Sequence, residues 1–126
     1  MFTNTDLQDF LDGYFEAAEF TDCGPDDEEN HDAEGWSSAA REQARSDCQA
    51  FMLNTSALLH KAIALPDYSL VQAGHDFWFT RNGHGVGFWD RTQLESGNLG
   101  DALTFACRSY REVNVYKGDD EYLYIC

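Results

Sequence analysis

Residues 74–91 decide the predicted fold, and they read GHDFWFTRNGHGVGFWDR. Two runs of alternating aromatic and polar residues flank Asn82-Gly83, a dipeptide that readily adopts the positive φ values of a tight turn between strands. With Asn82-Gly83 as the turn, Phe77 would lie opposite Phe88 on the neighbouring strand. The pattern therefore predicts an antiparallel β-hairpin.

The two faces of this hairpin carry different side chains, because side chains alternate along a strand. One face is predicted to lie in the core and carries Phe77, Phe79, Val86 and Phe88. The other face carries Trp78 and Trp89 beside glycines, where another molecule could approach the backbone. A longer loop built on Gly83-His84-Gly85 would shift the register by one residue and exchange the two faces.

Three other segments have helical periodicity. The clearest is 5–20, which opens with a capping box at Thr5-Asp6-Leu7-Gln8. Its apolar residues recur at the spacing of a buried stripe, and they are Leu7, Phe10, Leu11, Tyr14, Phe15 and Ala18. A second helix is predicted from Ser37 or Ser38 to about Ala62, and a third begins within 97–101.

The end of the chain predicts a second hairpin. Residues 112–116 and 121–126 are rich in strand-forming residues and flank the turn 117–120. The whole chain is predicted to form one α+β domain over residues 1–126, with the element order α-α-β-β-α-β-β. An antiparallel sheet of about four strands, in two hairpins, would pack against three helices.

Negative charge is concentrated at the start of the chain. The net charge is −15 over 126 residues. Residues 1–40 hold twelve acidic and no basic residues, a charge of −12, whereas residues 41–126 hold eleven acidic and eight basic residues, a charge of −3. Such a surface repels nucleic acid and anionic membranes, and it attracts basic proteins.

The acidic residues of the first helix fall on one side of it. Asp9, Asp12, Glu16 and Glu19 are spaced by three, four and three residues, so they form a ridge of carboxylates about 15 Å long. The acidic loop of about 21–36 continues this charge with Asp26, Asp27, Glu28 and Glu29. Its spacing does not match a calcium-binding EF-hand loop, and His31 alone is no metal motif, so no metal or cofactor is predicted.

Residues 75–91 resemble a signature of small uncharacterised proteins encoded by bacteriophages and related mobile elements. The resemblance implies an origin in the cytoplasm of an infected bacterium, and it assigns no residue a catalytic role. The beginning of the chain lacks the basic and apolar segments of a signal peptide, which also predicts a cytoplasmic protein. The four cysteines are scattered and form no CxxC pair, which favours reduced thiols.

An enzymatic alternative would use the polar residues of the first hairpin. His75 and Asp76 could form a general base with its orienting carboxylate, and His84 could assist in a hydrolase-type reaction. In the predicted register, however, the pair His75/Asp90 lies about 20 Å from the pair Arg81/His84, at the opposite end of the hairpin. The sequence therefore favours His75 and Asp90 as a cross-strand pair that closes the base of the hairpin, and Arg81 as a solvated residue at its tip.

The sequence favours a non-enzymatic binding or inhibitor protein that occupies a basic surface of a host protein. A nucleic-acid-binding defence or replication complex is the predicted class of partner, because its basic groove suits a ridge of carboxylates that mimics DNA. The predicted contact residues are Asp9, Asp12, Glu16, Glu19, Asp26, Asp27, Glu28, Glu29, Trp78 and Trp89. The small hydrolase using His75, Asp76 and His84 is one alternative, and a structural or assembly factor is another.

Overall fold

The backbone is mostly helical in the computed structural model, which describes residues 2–23, 30 and 32–126. The α-helices of this part of the chain are Asn4–Asp22 (α1), Ser38–Asn54 (α2), Ser56–Ile63 (α3), Leu70–Arg81 (α4) and Leu99–Ala106 (α5). Its strands are Val115–Lys117 (β1) and Leu123–Ile125 (β2), which pair antiparallel. Short 3₁₀ turns occur at Phe88–Asp90, Thr92–Leu94, Ser96–Asn98 and Cys107–Ser109.

The predicted four-stranded sheet is wrong, because the first half of the predicted first hairpin is helix α4. Ser69 begins this helix with a capping box: its hydroxyl accepts a hydrogen bond from the Gln72 amide at 3.2 Å, and its own amide donates to the Gln72 side chain at 2.8 Å. Two backbone amides of the first turn region are thereby satisfied, which stabilises a helix start.

Asn82-Gly83 ends α4 instead of turning a hairpin. Gly83 has a φ of +68°, and the amide of His84 donates to the carbonyl of Phe79 at 3.0 Å. A glycine with positive φ closes a helix as readily as it closes a hairpin, since both need a left-handed residue. The chain then continues through a loop into the 3₁₀ turn Phe88–Asp90.

The other predicted elements are present with changed boundaries. The capping box of α1 uses Thr3 and Asp6, two residues before the predicted one. The long second helix is interrupted at Thr55, whose hydroxyl donates to the carbonyl of Phe51 at 2.7 Å. The second predicted hairpin does form, although its strands are only three residues long, with Tyr116 opposite Tyr124.

Aromatic rings fill the core between α1, α2 and α4. Phe77 is completely buried and stacks on Phe51, with ring centroids 4.2 Å apart. Phe88 is also completely buried and lies 5.8 Å from the same Phe51 ring. The predicted burial of Phe77 and Phe88 is therefore confirmed, but they reach the core from a helix and a 3₁₀ turn. Val86, predicted to share their face, is exposed.

Helices α1 and α4 cross at two glycines. A Cβ atom added at Gly13 would overlap the backbone carbonyl of Val71, and one added at Gly74 would overlap the carbonyl of Phe10. Only a residue without a side chain allows two helix backbones to come this close. The crossing fixes which face of α1 is buried and which is exposed.

No helix among the described residues has both the length and the apolar character needed to cross a membrane.

The four cysteines differ in their exposure: Cys48 and Cys107 are buried, Cys23 is partly exposed and Cys126 is exposed. Burial raises the pKa of the Cys107 thiol to about 12 and holds that of Cys48 well above its ordinary value. Because only the thiolate reacts, we expect a disulfide reagent at about pH 8 to modify exposed Cys126 in the native protein. Cys48 and Cys107 should react only after unfolding in denaturant.

The measurement is the absorbance released by the reagent, followed over time with and without denaturant. A Cys126→Ser variant is the control and should lose the fast phase assigned to that thiol. Rapid modification of Cys48 in the native protein would contradict its burial.

Candidate protein-binding surface

The outward side of α1 carries four carboxylates. The buried side of the helix packs into the core through Leu7, Phe10, Leu11, Tyr14, Ala17 and Ala18. The 3.6-residue period then places Asp9, Asp12, Glu16 and Glu19 on the opposite side, and all four residues are exposed. We call these four residues the acidic face.

Neutral or weakly basic groups contact the acidic face. The side-chain amide of Gln8 donates to Asp12 at 2.8 Å. The indole N–H of Trp36 donates to Glu19 at 2.9 Å, and His75 Nε2 lies 3.3 Å from Glu16 Oε1. In the part of the chain that the structure describes, no Lys or Arg forms an ion pair with these four carboxylates. The acidic face therefore keeps its negative charge.

Phe20 is an exposed aromatic residue beside the acidic face. Its side chain is 81% exposed, and it lies one turn after Glu16 on the same side of α1. Phe is enriched at the centre of protein–protein interfaces, where burial of the ring adds apolar contact area. A large apolar side chain next to carboxylates is thus suited to contact with a protein surface. Sequence periodicity alone identified the carboxylates but missed Phe20.

Comparisons with known proteins add no residue to this surface. No protein-family model, characterised protein or solved structure matches this chain. Among the residues that the structure describes, no group of three or more His, Cys, Asp or Glu side chains could hold a metal ion.

The predicted acidic loop lies largely outside the described residues. Asp26, Asp27, Glu28 and Glu29 belong to the residues that the structure does not describe, as does His31. Among the carboxylates predicted to contact a partner, the structure therefore describes only the four of the acidic face.

The predicted shared face of Trp78 and Trp89 does not form, because Trp78 lies on a helix and not on a strand. Trp78 is completely buried, its indole N–H donates to the Thr21 hydroxyl at 3.0 Å, and its ring meets Tyr14 edge-on at 5.1 Å. Trp89 lies in the 3₁₀ turn after Gly87 and is 49% exposed. Only Trp89 is accessible to another molecule.

The three residues of the enzymatic alternative have different partners. His75 lies beside Glu16 at the surface. Asp76 is completely buried, accepts a hydrogen bond from the Tyr68 hydroxyl at 2.7 Å and forms an ion pair with Arg91 at 2.7 Å. His84 follows α4, and its ring packs edge-on against Phe79. The structure does not bring them together into one constellation.

Arg81 does not pair with His84 at a hairpin tip as predicted, and it has other partners. Arg81 is buried, and its guanidinium donates to Asp47 at 2.8 Å, to the Tyr14 hydroxyl at 3.1 Å and to the backbone carbonyl of Arg111. Burial raises the pKa of Tyr14, so its hydroxyl stays protonated and remains available as an acceptor. These contacts tie α1, α2 and α4 to the segment before β1. No local sequence signal indicated them.

Proposed function

We propose that this protein is a non-enzymatic binding protein that uses the acidic face of α1 to occupy a basic surface of another protein. One observation carries the proposal: Asp9, Asp12, Glu16 and Glu19 are all exposed on one face of a regular helix, and α1 contains no Lys or Arg. A face built mainly for solubility would normally mix charges of both signs. A single-sign face instead steers the approach of oppositely charged partners.

The spacing of the charges supports a nucleic-acid-binding partner. The acidic face extends about 15 Å along the helix axis. One strand of B-DNA carries about four phosphates over the same length, because its charges are spaced about 3.4 Å apart along the axis. Four carboxylates thus match the charge of one strand, and a groove that binds a phosphate backbone is a complementary surface.

The resemblance of residues 75–91 to phage-encoded proteins supports a partner in the bacterial host. Defence and replication complexes contain basic nucleic-acid-binding grooves, so the proposed role is that of an inhibitor that resembles DNA in its charge. The proposed location is the cytoplasm of the infected bacterium. Phe20 would add an apolar contact at the end of the acidic face.

The proposal predicts that neutralising the acidic face weakens binding and removes most of its salt dependence. The acidic-face variant carries Asp9→Asn, Asp12→Asn, Glu16→Gln and Glu19→Gln. Each new amide oxygen can still accept a hydrogen bond, so the fold should be kept. Four charges contribute to steering mainly at low ionic strength, where the Debye length is long. We expect an association rate at least about tenfold lower at low salt.

The matched control removes the same number of charges elsewhere: Glu42→Gln, Asp67→Asn, Glu95→Gln and Asp119→Asn. These four residues are exposed and lie outside α1. Host proteins captured on the wild-type protein would be identified and purified, and association rates would then be measured for wild type, variant and control across a range of salt concentrations.

Each outcome of this comparison is informative. A loss in the acidic-face variant that the control does not share supports the proposal, and competition by double-stranded DNA supports a nucleic-acid-binding partner. Equal rates for wild type and acidic-face variant would show that the face serves only solubility. Equal losses in the variant and the control would show that net charge matters and the position of the charge does not.

A further inference from the structure

A cavity of about 370 Å³ lies between α1 and α2, beside the acidic face, and none of the four carboxylates of that face lines it. Its residues are of two kinds. Leu11, Phe15 and Trp36 supply apolar groups, whereas Gln8, Arg41 and Arg45 supply polar groups. Sites for small organic molecules have this composition, with an apolar lining and a few polar groups that fix the ligand's orientation, and their volumes begin at about 300 Å³.

Two arginines line the same cavity. Arg41 and Arg45 are four residues apart on α2, so they are neighbours on one side of the helix, and both are exposed. The ion pairs formed among the described residues use His75, Arg81, Arg91 and Lys117 as cations, and none of them involves Arg41 or Arg45. In a chain with a net charge of −15, carboxylates are abundant, yet these guanidinium groups remain available for a ligand.

The apolar part of the cavity is held in place by contacts from several elements. The Trp36 ring lies 4.9 Å from the Phe15 ring, and its indole N–H donates to Glu19. The backbone next to Trp36 is fixed as well, since the amide of Ser37 donates to the carbonyl of Leu123 at 2.9 Å. A ligand would therefore meet a surface that needs little ordering on binding, which reduces the cost of association.

We infer that this cavity binds a small amphiphilic organic anion, a carboxylate with an aromatic or short alkyl body. Its carboxylate would pair with Arg41 and Arg45, because a planar guanidinium matches a carboxylate in geometry and charge. Its apolar body would lie against Phe15 and Trp36. Arg41 lies four residues after the N-cap Ser37, near the N-terminal end of α2. The positive end of the helix dipole there also favours an anion.

The surroundings of the cavity exclude a polyanion as the ligand. Asp12 accepts its hydrogen bond from Gln8, which lines the cavity, and Glu19 accepts one from Trp36. These carboxylates would repel the extended charge of a nucleic acid. A single carboxylate can reach the two arginines while its uncharged body occupies the space nearer the acidic residues.

The test uses 2-naphthoate as the probe and its uncharged amide, 2-naphthamide, as the matched control. The two molecules share the same aromatic body and differ in charge. Binding to the wild-type protein would be followed by NMR from the indole N–H signal of Trp36, assigned with a Trp36→Phe variant. We expect saturable shifts with 2-naphthoate, and at least about tenfold weaker binding of the amide, the loss of roughly one charge-assisted hydrogen bond.

Protein variants give the second arm of the test. Arg41→Gln and Arg45→Gln should each weaken 2-naphthoate binding by about tenfold, whereas Arg108→Gln should change it by less than about twofold. Arg108 is an exposed arginine on another part of the chain, packed over Phe105. Its loss changes the net charge by the same amount, so the comparison separates a local contact from the overall field.

Three results would overturn the inference. The first is the absence of a Trp36 shift with 2-naphthoate at concentrations up to about 1 mM, which would mean that the dissociation constant lies well above that concentration. The second is equal affinity for the acid and the amide, which would indicate an apolar patch without anion recognition. The third is unchanged affinity in both Arg41→Gln and Arg45→Gln. The comparison of the two probes on the wild-type protein remains decisive if either variant fails to fold.

Discussion

Alanine in place of Gly13 or Gly74 is expected to destabilise the protein by about 3 kcal/mol or more. In an ordinary helix the change would be favourable by up to about 1 kcal/mol, because glycine is a poor helix former. At this crossing the new methyl group would overlap a backbone carbonyl, that of Val71 or of Phe10. A backbone atom cannot rotate away as a side chain can, so α1 and α4 would have to separate and open the core.

The free energy of unfolding would be measured by urea denaturation, with the slope of the transition checked for constancy. Gly85→Ala is the matched control, since a Cβ atom there meets no other atom within 4 Å. The double variant Gly13→Ala/Gly74→Ala should lose less free energy of unfolding than the two single variants lose together, because one separation of the helices relieves both overlaps. Wild-type stability in either single variant would refute the close crossing.

Arg91→Gln should destabilise the protein by about 3–5 kcal/mol, although Arg91 itself is partly exposed. Arg91 donates from two nitrogens to Asp76, at 2.7 and 2.9 Å, and Asp76 is completely buried. Without Arg91, the carboxylate would keep the hydrogen bond from Tyr68 but would lose its counter-charge. An uncompensated charge in the interior is far more costly than a missing neutral contact.

The decisive comparison is with Asp76→Asn/Arg91→Gln, which removes both charges. We expect this double variant to be more stable than Arg91→Gln alone, because no buried charge is left. Denaturation of the single and double variants measures the difference, and Arg108→Gln, an exposed arginine, should stay within about 0.5 kcal/mol of wild type. If the loss in the free energy of unfolding of the double variant equalled the sum of the losses of the two single variants, the ion pair would not be the origin of the effect.

The sequence could predict those helices in which the apolar residues recur with a single, unambiguous spacing. Residues 5–20 were assigned correctly to a helix because its apolar and acidic residues each follow one unambiguous 3.6-residue pattern. Residues 70–81 fit two periods at once. Phe77 and Phe79 alternate with Trp78 as in a strand, while Leu70, Ala73, Phe77 and Arg81 recur at helical spacing. The capping box at Ser69 and Gln72 distinguishes the two, and it favours the helix.

The candidate surface was predictable to the same extent. The acidic face follows from spacing within one helix, so its four carboxylates were found. The burial of Trp78 depends on α4 packing against α1, and the Arg81–Asp47 contact joins residues 34 positions apart. Pairings of that kind are set by how helices pack, which no short window of sequence contains. The sequence likewise could not predict the α1–α2 cavity, because Trp36 lies beside Arg41 and Arg45 only in the folded chain.

The glycine crossing also has a kinetic consequence for the acidic face. At the crossing point itself, backbone meets backbone at Gly13 and Gly74, so the two helices have little room to slide over each other there. The carboxylates of α1 are thus held in a fixed arrangement, and a partner of the proposed kind would not have to reorder them on binding. Under the proposed function, diffusion and charge should govern the rate of complex formation, and the apolar contact proposed for Phe20 should govern the rate of dissociation.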